Sequence, residues 1–106
     1  MPLYVTENGA AFDESLGAED RVEDPARVRY LHEHVGRVAR ARAVGVDVRG
    51  YFVWTMWDNF EWAEGYGPTF GLVHVDRATL ARTPKRSFDW YRRLVAEGVR
   101  PPTIEP

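Results

Sequence analysis

The chain has 106 residues, a length that accommodates one small domain. Hydrophobic residues make up 44% of it and aromatic residues 13%, which suffices for a globular core and excludes a disordered tail. Cysteine is absent, which excludes a disulfide scaffold and thiolate metal sites. The net charge of −2 gives no electrostatic reason to expect nucleic-acid binding. The sequence has no apolar run of about 18 residues, so no membrane span is expected.

The first part of the chain predicts a strand followed by a helix. The strand covers residues 3–6, where residues that favour strands precede an Asn-Gly turn. The helix is predicted to have Asp24 as its N-cap and Pro25 at its first position, and to end before Gly45. Its arginines, Arg27 included, fall mostly off the apolar stripe and are predicted to face solvent. That stripe consists of Val28, Leu31, Val35 and Val38.

The second part predicts another strand and another helix. Residues 46–55 end in a continuous apolar run, which is typical of a strand buried on both faces of a parallel sheet. A short strand is expected within 70–75, and a helix is expected to begin with Thr83 as its cap and to end near Gly98. The predicted inward residues of this helix are Phe88, Tyr91, Leu94 and Val95. The order β-α-β-α fits the crossover units of a parallel α/β sheet.

Glu7 lies at the end of the first predicted strand. Barrels of alternating strands and helices place their catalytic groups at this end of the strands. The alternative is an ordinary solvated carboxylate, which is the common state of a glutamate.

A second cluster, residues 54–62, interleaves three tryptophans with carboxylates and an amide. Indole faces stack on the C–H faces of sugar rings, and carboxylates accept hydrogen bonds from sugar hydroxyls. The alternative is core packing, although Asp58, Asn59 and Glu61 would be costly to bury without partners. For Asp58 and Asn59 we favour a structural role, either orienting Glu61 or capping a turn.

These motifs together resemble a known enzyme family. PLYVTENG, the D-x-x-R-x-x-Y-L-x-x-H pattern of the first helix and GYFVWTMWDNFEWAEGY closely resemble the C-terminal quarter of family 1 glycoside hydrolases, the β-glucosidase family. T-E-N-G alone is a weak signal, but T-E-N-G combined with W-x-x-x-D-N-F-E-W is specific. The resemblance extends from about residue 2 to residue 95.

The resemblance implies a fold that this chain only partly contains. Family members are (β/α)8 TIM barrels, so residues 1–98 would be the last two β-α units, strands seven and eight with their helices, of an incomplete α/β barrel. Residues 99–106 would be a Pro-rich tail. A separate chain that carries the N-terminal part of the barrel would be a complementing partner.

The resemblance also implies roles for five residues. Glu7 matches the nucleophile of a retaining mechanism. Trp54 would stack on the sugar ring, Glu61 would accept bonds from its hydroxyls, and Trp62 would donate its indole N–H. Phe70 matches an aromatic residue that closes the pocket.

The acid/base glutamate of the family lies in a T-x-N-E-P motif that this sequence lacks. Glu105-Pro106 follows Ile104 in the tail and is rejected as a substitute. The implied activity is retaining hydrolysis of β-glycosidic bonds in a β-glycoside or oligosaccharide. The alternative is an inactive, vestigial sugar-binding fragment.

Glu61 narrows the implied substrate to an unphosphorylated glycone, because family members that act on 6-phosphorylated sugars have Ser at that position. No organic cofactor is expected, since the mechanism needs only two carboxylates and water. No metal site is expected either, because His32 and His34 are two positions apart and do not share a helix face. The first residues do not resemble a signal peptide, so we expect a cytoplasmic location.

Overall fold

The computed structural model of the chain describes residues 1–13, 21–59, 65, 67 and 69–98. In these residues the elements are β1 (Leu3–Asn8), α1 (Pro25–Ala43), β2 (Val48–Val53), β3 (Val73–Val75), β4 (Arg82–Pro84) and α2 (Arg86–Glu97). The predicted tail, 99–106, lies outside them. Among the described helices, none is long and apolar enough to cross a membrane.

Strands β1 and β2 form a parallel pair, and α1 is the crossover between them. The predicted β-α-β unit is therefore confirmed. The pairing runs from Leu3 opposite Val48 to Asn8 opposite Val53, with irregularities after Leu3 and after Val5. Because the strands are parallel, their carboxyl ends lie at the same edge of the sheet.

Strands β3 and β4 form an antiparallel hairpin that packs beside the segment after β2. The Val73 N–H donates to the Met56 carbonyl at 2.8 Å, and the Asp58 N–H donates to the Val73 carbonyl at 3.0 Å. The strand expected within 70–75 is thus present as Val73–Val75. These bonds hold residues 55–58 against the hairpin.

The core lies between the two helices and one face of the β1–β2 sheet. α1 contributes three of the four predicted stripe residues, whereas Val38 is only partly buried, and α2 and the segment before β3 contribute the rest. Its buried residues are Val28, Leu31, Val35, Leu72, Trp90 and Leu94. Burial of each large apolar side chain contributes about 1.5–3 kcal/mol, so this cluster is the main stabilising feature of the described residues.

The predicted start of α2 is wrong by two residues. Thr83 and Pro84 belong to β4, and the helix begins at Arg86 with Lys85 as its N-cap. Pairing with β3 continues to the end of β4, and the Lys85 N–H then donates to the Leu72 carbonyl at 2.9 Å. This long-range pairing overrides the local capping signal of Thr-Pro.

The predicted inward face of α2 is also partly wrong. Val95 is 71% exposed, whereas Trp90 is 2% exposed. The buried positions are Ser87, Trp90 and Leu94, which recur at spacings of three and four. The face of α2 that packs on the core is therefore rotated from the predicted face, which included Val95.

Burial on both faces of the second strand is not observed. Phe52 in β2 is 58% exposed, and Tyr4 in β1 is 57% exposed. The helices cover one face of the sheet, and no other described element covers the opposite face. The two-sided apolar pattern of this strand lacks its second layer in the described residues.

At the start of α1, the side-chain contacts of Asp24 and Arg27 differ from the prediction. Asp24 is at the N-cap and Pro25 opens the helix, but the Asp24 side chain makes no capping hydrogen bond. Its carboxylate instead binds Arg27 at 2.8 Å, and Arg27 is 1% exposed rather than solvated. A buried partner therefore keeps this arginine in the interior.

Candidate active site

Glu7 is on β1, one residue before its end, and is exposed. The sequence predicted Glu7 at the end of the first strand, and the structure has it there, at the carboxyl edge of a parallel sheet. Exposure leaves the carboxylate free to meet a ligand, and it is also what a solvated surface glutamate would show.

Asn8 connects this strand end to α1 and to β2. The Tyr51 hydroxyl donates to Asn8 Oδ1 at 2.6 Å, and Asn8 Nδ2 donates to the Tyr30 hydroxyl at 3.1 Å. Burial raises the pKa of the Tyr51 hydroxyl far above its ordinary range, and the neighbouring Tyr91 and Tyr30 hydroxyls raise it further. The sequence indicated only a turn at Asn8, so this contact was missed.

Trp54 lies directly beside the end of β1. Its backbone N–H donates to the Asn8 carbonyl at 2.8 Å, and its side chain is partly exposed. A Cβ at Gly9 would lie 1.8 Å from the Trp54 carbonyl oxygen, so only glycine permits this approach. The peptide bond between Trp54 and Thr55 is cis. The structure therefore brings Glu7 and Trp54 to one edge of the sheet.

Phe70 joins the same region through the backbone. The Thr55 N–H donates to the Phe70 carbonyl at 3.3 Å, and the Leu72 N–H donates to the Thr55 carbonyl at 3.0 Å. Of the five predicted site residues, Glu7, Trp54 and Phe70 lie on adjoining segments. Glu61 and Trp62 lie outside the described residues.

Asp58 anchors the segment that carries these aromatic residues. Its buried carboxylate accepts from Lys85 Nζ at 2.8 Å and from the Gly71 N–H at 3.0 Å. His74 Nδ1 lies 3.6 Å from the other carboxylate oxygen. Asn59 Nδ2 donates to the Trp57 carbonyl at 2.9 Å, as in a local turn. The contacts of both residues are structural, as the sequence analysis favoured.

A second buried ionic cluster holds the segment before Phe70. Asp24 accepts from Arg27, from the Ser87 N–H at 2.9 Å and from the Ser87 hydroxyl. Arg27 also donates to the Thr69 carbonyl. The cluster thus ties the starts of both helices to the residue next to Phe70. The signal in the sequence was the D-x-x-R spacing, but the long-range partners cannot be identified from that spacing.

The described residues contain no group of three or more His, Asp or Glu side chains that could hold a metal ion. His34 stacks on the Tyr30 ring at 3.9 Å, and His32 meets the edge of Trp90 at 6.1 Å. Both histidines therefore have packing partners on separate faces of α1.

Comparison with known proteins agrees with the motifs. Residues 1–99 match the family model of glycosyl hydrolase family 1. The chain belongs to glycosyl hydrolase family 1.

Two curated relatives and one solved structure illustrate the extent of the match. β-Glucosidase A of Thermotoga maritima is 50% identical over 93 residues, which are 88% of this chain and 21% of that protein. A protein of Oryza sativa named as a probable inactive β-glucosidase is 47% identical over 96 residues, 89% of this chain and 19% of that protein. The solved Thermotoga maritima enzyme in complex with isofagomine lactam superposes with a TM-score of 0.88 at 48% identity, covering 90% of this chain and 22% of that one.

The chain therefore spans about a fifth of the length of these family 1 relatives. Their names confirm the predicted β-glucosidase family. The described residues form a small α/β piece of the relatives' fold and contain no closed barrel.

Proposed function

We propose that this chain forms the last two β-α units of a family 1 barrel and supplies the nucleophile and sugar-binding wall of a retaining β-glucosidase. The observation that carries the proposal is that Glu7 and Trp54 lie at the same edge of a parallel sheet. The Trp54 backbone N–H donates at 2.8 Å to the carbonyl of Asn8, the residue next to Glu7, and so holds the two segments side by side. Barrel enzymes use this edge for catalysis.

In this mechanism Glu7 attacks the anomeric carbon while the leaving-group oxygen departs with a proton. The product of this step is a covalent glycosyl-enzyme ester, which water then hydrolyses with retention. The proton comes from a second carboxyl group about 5–5.5 Å from the nucleophile. Because the T-x-N-E-P motif is absent here, that group would come from the complementing N-terminal part of a barrel.

Trp54 would provide a flat apolar surface for the sugar ring, and Phe70 would close the pocket from the adjoining segment. Glu61 and Trp62 would bind the sugar hydroxyls. A carboxylate at Glu61 would repel a phosphate, so the proposed glycone is an unphosphorylated β-linked sugar such as glucose.

A chimera tests the proposal. The 106 residues replace the corresponding segment of Thermotoga maritima β-glucosidase A, which supplies the rest of the barrel. The chimera is expected to hydrolyse an aryl β-glucoside with retention and to discriminate against the 6-phosphorylated substrate. In the chimera, Glu7→Ala should lower kcat by about four or more powers of ten, since a covalent nucleophile is lost.

Two controls make the result specific to Glu7. Glu33→Ala removes an exposed glutamate of α1 and should leave kcat within about twofold. Azide added to the Glu7→Ala chimera should attack the anomeric carbon, displace the aryl oxide and yield a glycosyl azide of inverted configuration. A Glu7→Ala chimera that retains the parent kcat would contradict the nucleophile assignment.

A second candidate function is sugar binding without catalysis. The observation that favours it is the 47% identity to the Oryza sativa protein named as probably inactive. Titration of the 106-residue chain with glucose or a β-glucoside, followed by tryptophan fluorescence, tests this alternative. Saturable quenching that Trp54→Phe abolishes supports a binding fragment, and a flat response rejects it.

A further inference from the structure

We propose that Asn8 is a positioning residue for Glu7. Its side-chain amide, held between Tyr30 of α1 and Tyr51 of β2, fixes the end of β1 and thereby the direction of the Glu7 carboxylate. This inference rests on the proposed function, because it concerns the geometry of the nucleophile.

The strand pairing does not by itself place Glu7. The register between β1 and β2 is regular at Tyr4 and Val5, is interrupted after Val5, and resumes at Asn8 opposite Val53. Glu7 lies within the interruption and has no register partner in β2. Its direction therefore depends on how Asn8, its neighbour, is held.

Hydrogen bonds hold Asn8 at both polar atoms of its side-chain amide and at its backbone carbonyl. Oδ1 accepts from the Tyr51 hydroxyl at 2.6 Å, and Nδ2 donates to the Tyr30 hydroxyl at 3.1 Å. Its carbonyl oxygen accepts from the Trp54 N–H at 2.8 Å. One residue thus links α1, β2 and the proposed sugar-stacking tryptophan.

The two tyrosines are suitable anchors because other contacts fix them. The Tyr30 ring stacks on His34 at 3.9 Å and meets the edge of Phe12 at 6.5 Å. Tyr51 packs against the buried core between the helices and the sheet. Neither hydroxyl can follow a shift of Asn8 without disturbing these contacts.

Displacement of the nucleophile is costly in a reaction of this type. A misplacement of about 1 Å can lower the rate by about a hundredfold, because the attacking oxygen must align with the anomeric carbon. Ground-state binding of the sugar depends on Trp54 and the other wall residues as well. Loss of the Asn8 amide should therefore lower kcat more than it raises KM.

The test uses the active chimera with Asn8→Ala, Tyr51→Phe and the double variant. We measure KM and kcat, with kcat expressed per folded chimera and the folded fraction determined by circular dichroism. Asn8→Ala should lower kcat by roughly tenfold or more, with KM changed less than about threefold. Tyr51→Phe should lower kcat in the parent chimera but have little further effect in the Asn8→Ala background, because its action passes through Asn8.

Glu33→Ala, which removes an exposed side chain from α1, is the control and should preserve kcat. A merely structural role would reduce the folded fraction while kcat per folded chimera stayed constant, and that result would overturn the inference. Additive effects of Asn8→Ala and Tyr51→Phe would also overturn it. An inactive parent chimera rejects the proposed function and this inference together, whereas a normal kcat per folded chimera in Asn8→Ala rejects this inference alone.

Discussion

Lys85 and Asp58 form an ion pair in the interior, where an unpaired charge is expensive. Their side chains are almost fully buried, and Nζ lies 2.8 Å from Oδ1. Lys85→Met would leave the Asp58 carboxylate buried opposite an apolar group. We expect a loss of about 3–5 kcal/mol in the free energy of unfolding, measured by urea unfolding of the chain with circular dichroism.

The double variant Lys85→Met/Asp58→Asn separates charge from packing. Because the uncompensated carboxylate is gone, it should recover part of the stability that Lys85→Met loses. Arg86→Met is the matched control, since Arg86 is exposed and its nitrogen lies 3.9 Å from Glu23 in a surface pair. Its effect should stay within about 1 kcal/mol. A Lys85→Met variant as stable as the Arg86→Met control would contradict the argument.

Single residues also show where prediction from the sequence stops. Glu7 and Trp54 were predicted because their motifs are local, and the parallel strands bring them together. Arg27 was predicted to face solvent, because its partner Thr69 is distant in sequence and no periodicity shows that contact. Asn8 gave only a turn signal, since the tyrosines that bind its amide are on other elements.

At the scale of elements, the packing of Tyr51 between β2 and the helices makes the free energy of unfolding depend on pH. Burial between β2 and the helices raises the pKa of the Tyr51 hydroxyl well above the ordinary value of about 10. Above pH 10 the unfolded chain therefore releases a proton that the folded chain keeps. The unfolded state then binds fewer protons than the folded state, so stability falls as pH rises.

Urea unfolding between pH 8 and pH 11.5 measures this dependence. The parent chain should lose stability progressively above about pH 10, and Tyr51→Phe should show a shallower decline. Some decline should remain in the variant, because burial also raises the pKa of the Tyr91 hydroxyl. The pH 8 value of each protein is its own reference, so the lost Asn8 hydrogen bond does not affect the comparison. Equal slopes in both proteins would reject the assignment to Tyr51.

The elements differ in how far local sequence determines them. β1, α1 and β2 were predicted because residue preferences, a Pro-initiated helix and an apolar stripe all act locally. β4 was missed because Thr83-Pro84 is a good helix start in isolation, and only pairing with β3 makes it a strand. On α2, Trp90 replaced Val95 as an inward residue because the segment before β3 packs Leu72 against that face.

At the scale of the whole molecule, the chain is less compact than a closed domain of its length. The radius of gyration is 14.8 Å, against about 13 Å for a compact domain of this length. β1 and β2 pair only with each other among the described strands, so each has an unpaired outer edge. The sequence resemblance predicted this incompleteness, because two β-α units cannot close a barrel.

The exposed face of this sheet predicts self-association of the isolated chain. Leu3, Tyr4 and Phe52 are exposed on the two strands, and Trp54 and Met56 follow β2 directly. Apolar surface beside unpaired strand edges favours association with further chains. Sedimentation velocity should therefore show concentration-dependent oligomers, and the same 106 residues within the chimera should sediment as part of the intact barrel.

Two variants locate the associating surface. Tyr4→Ser/Phe52→Ser removes large apolar side chains from one face of β1 and β2 and should shift the chain towards monomer at equal concentration. Val95→Ser is the matched control, because Val95 is 71% exposed but lies on α2, away from the sheet edges. If association were non-specific and used any exposed apolar side chain, both variants would weaken it alike. A monomeric parent chain, or an equal response to both variants, would show that the uncovered sheet is not the contact surface.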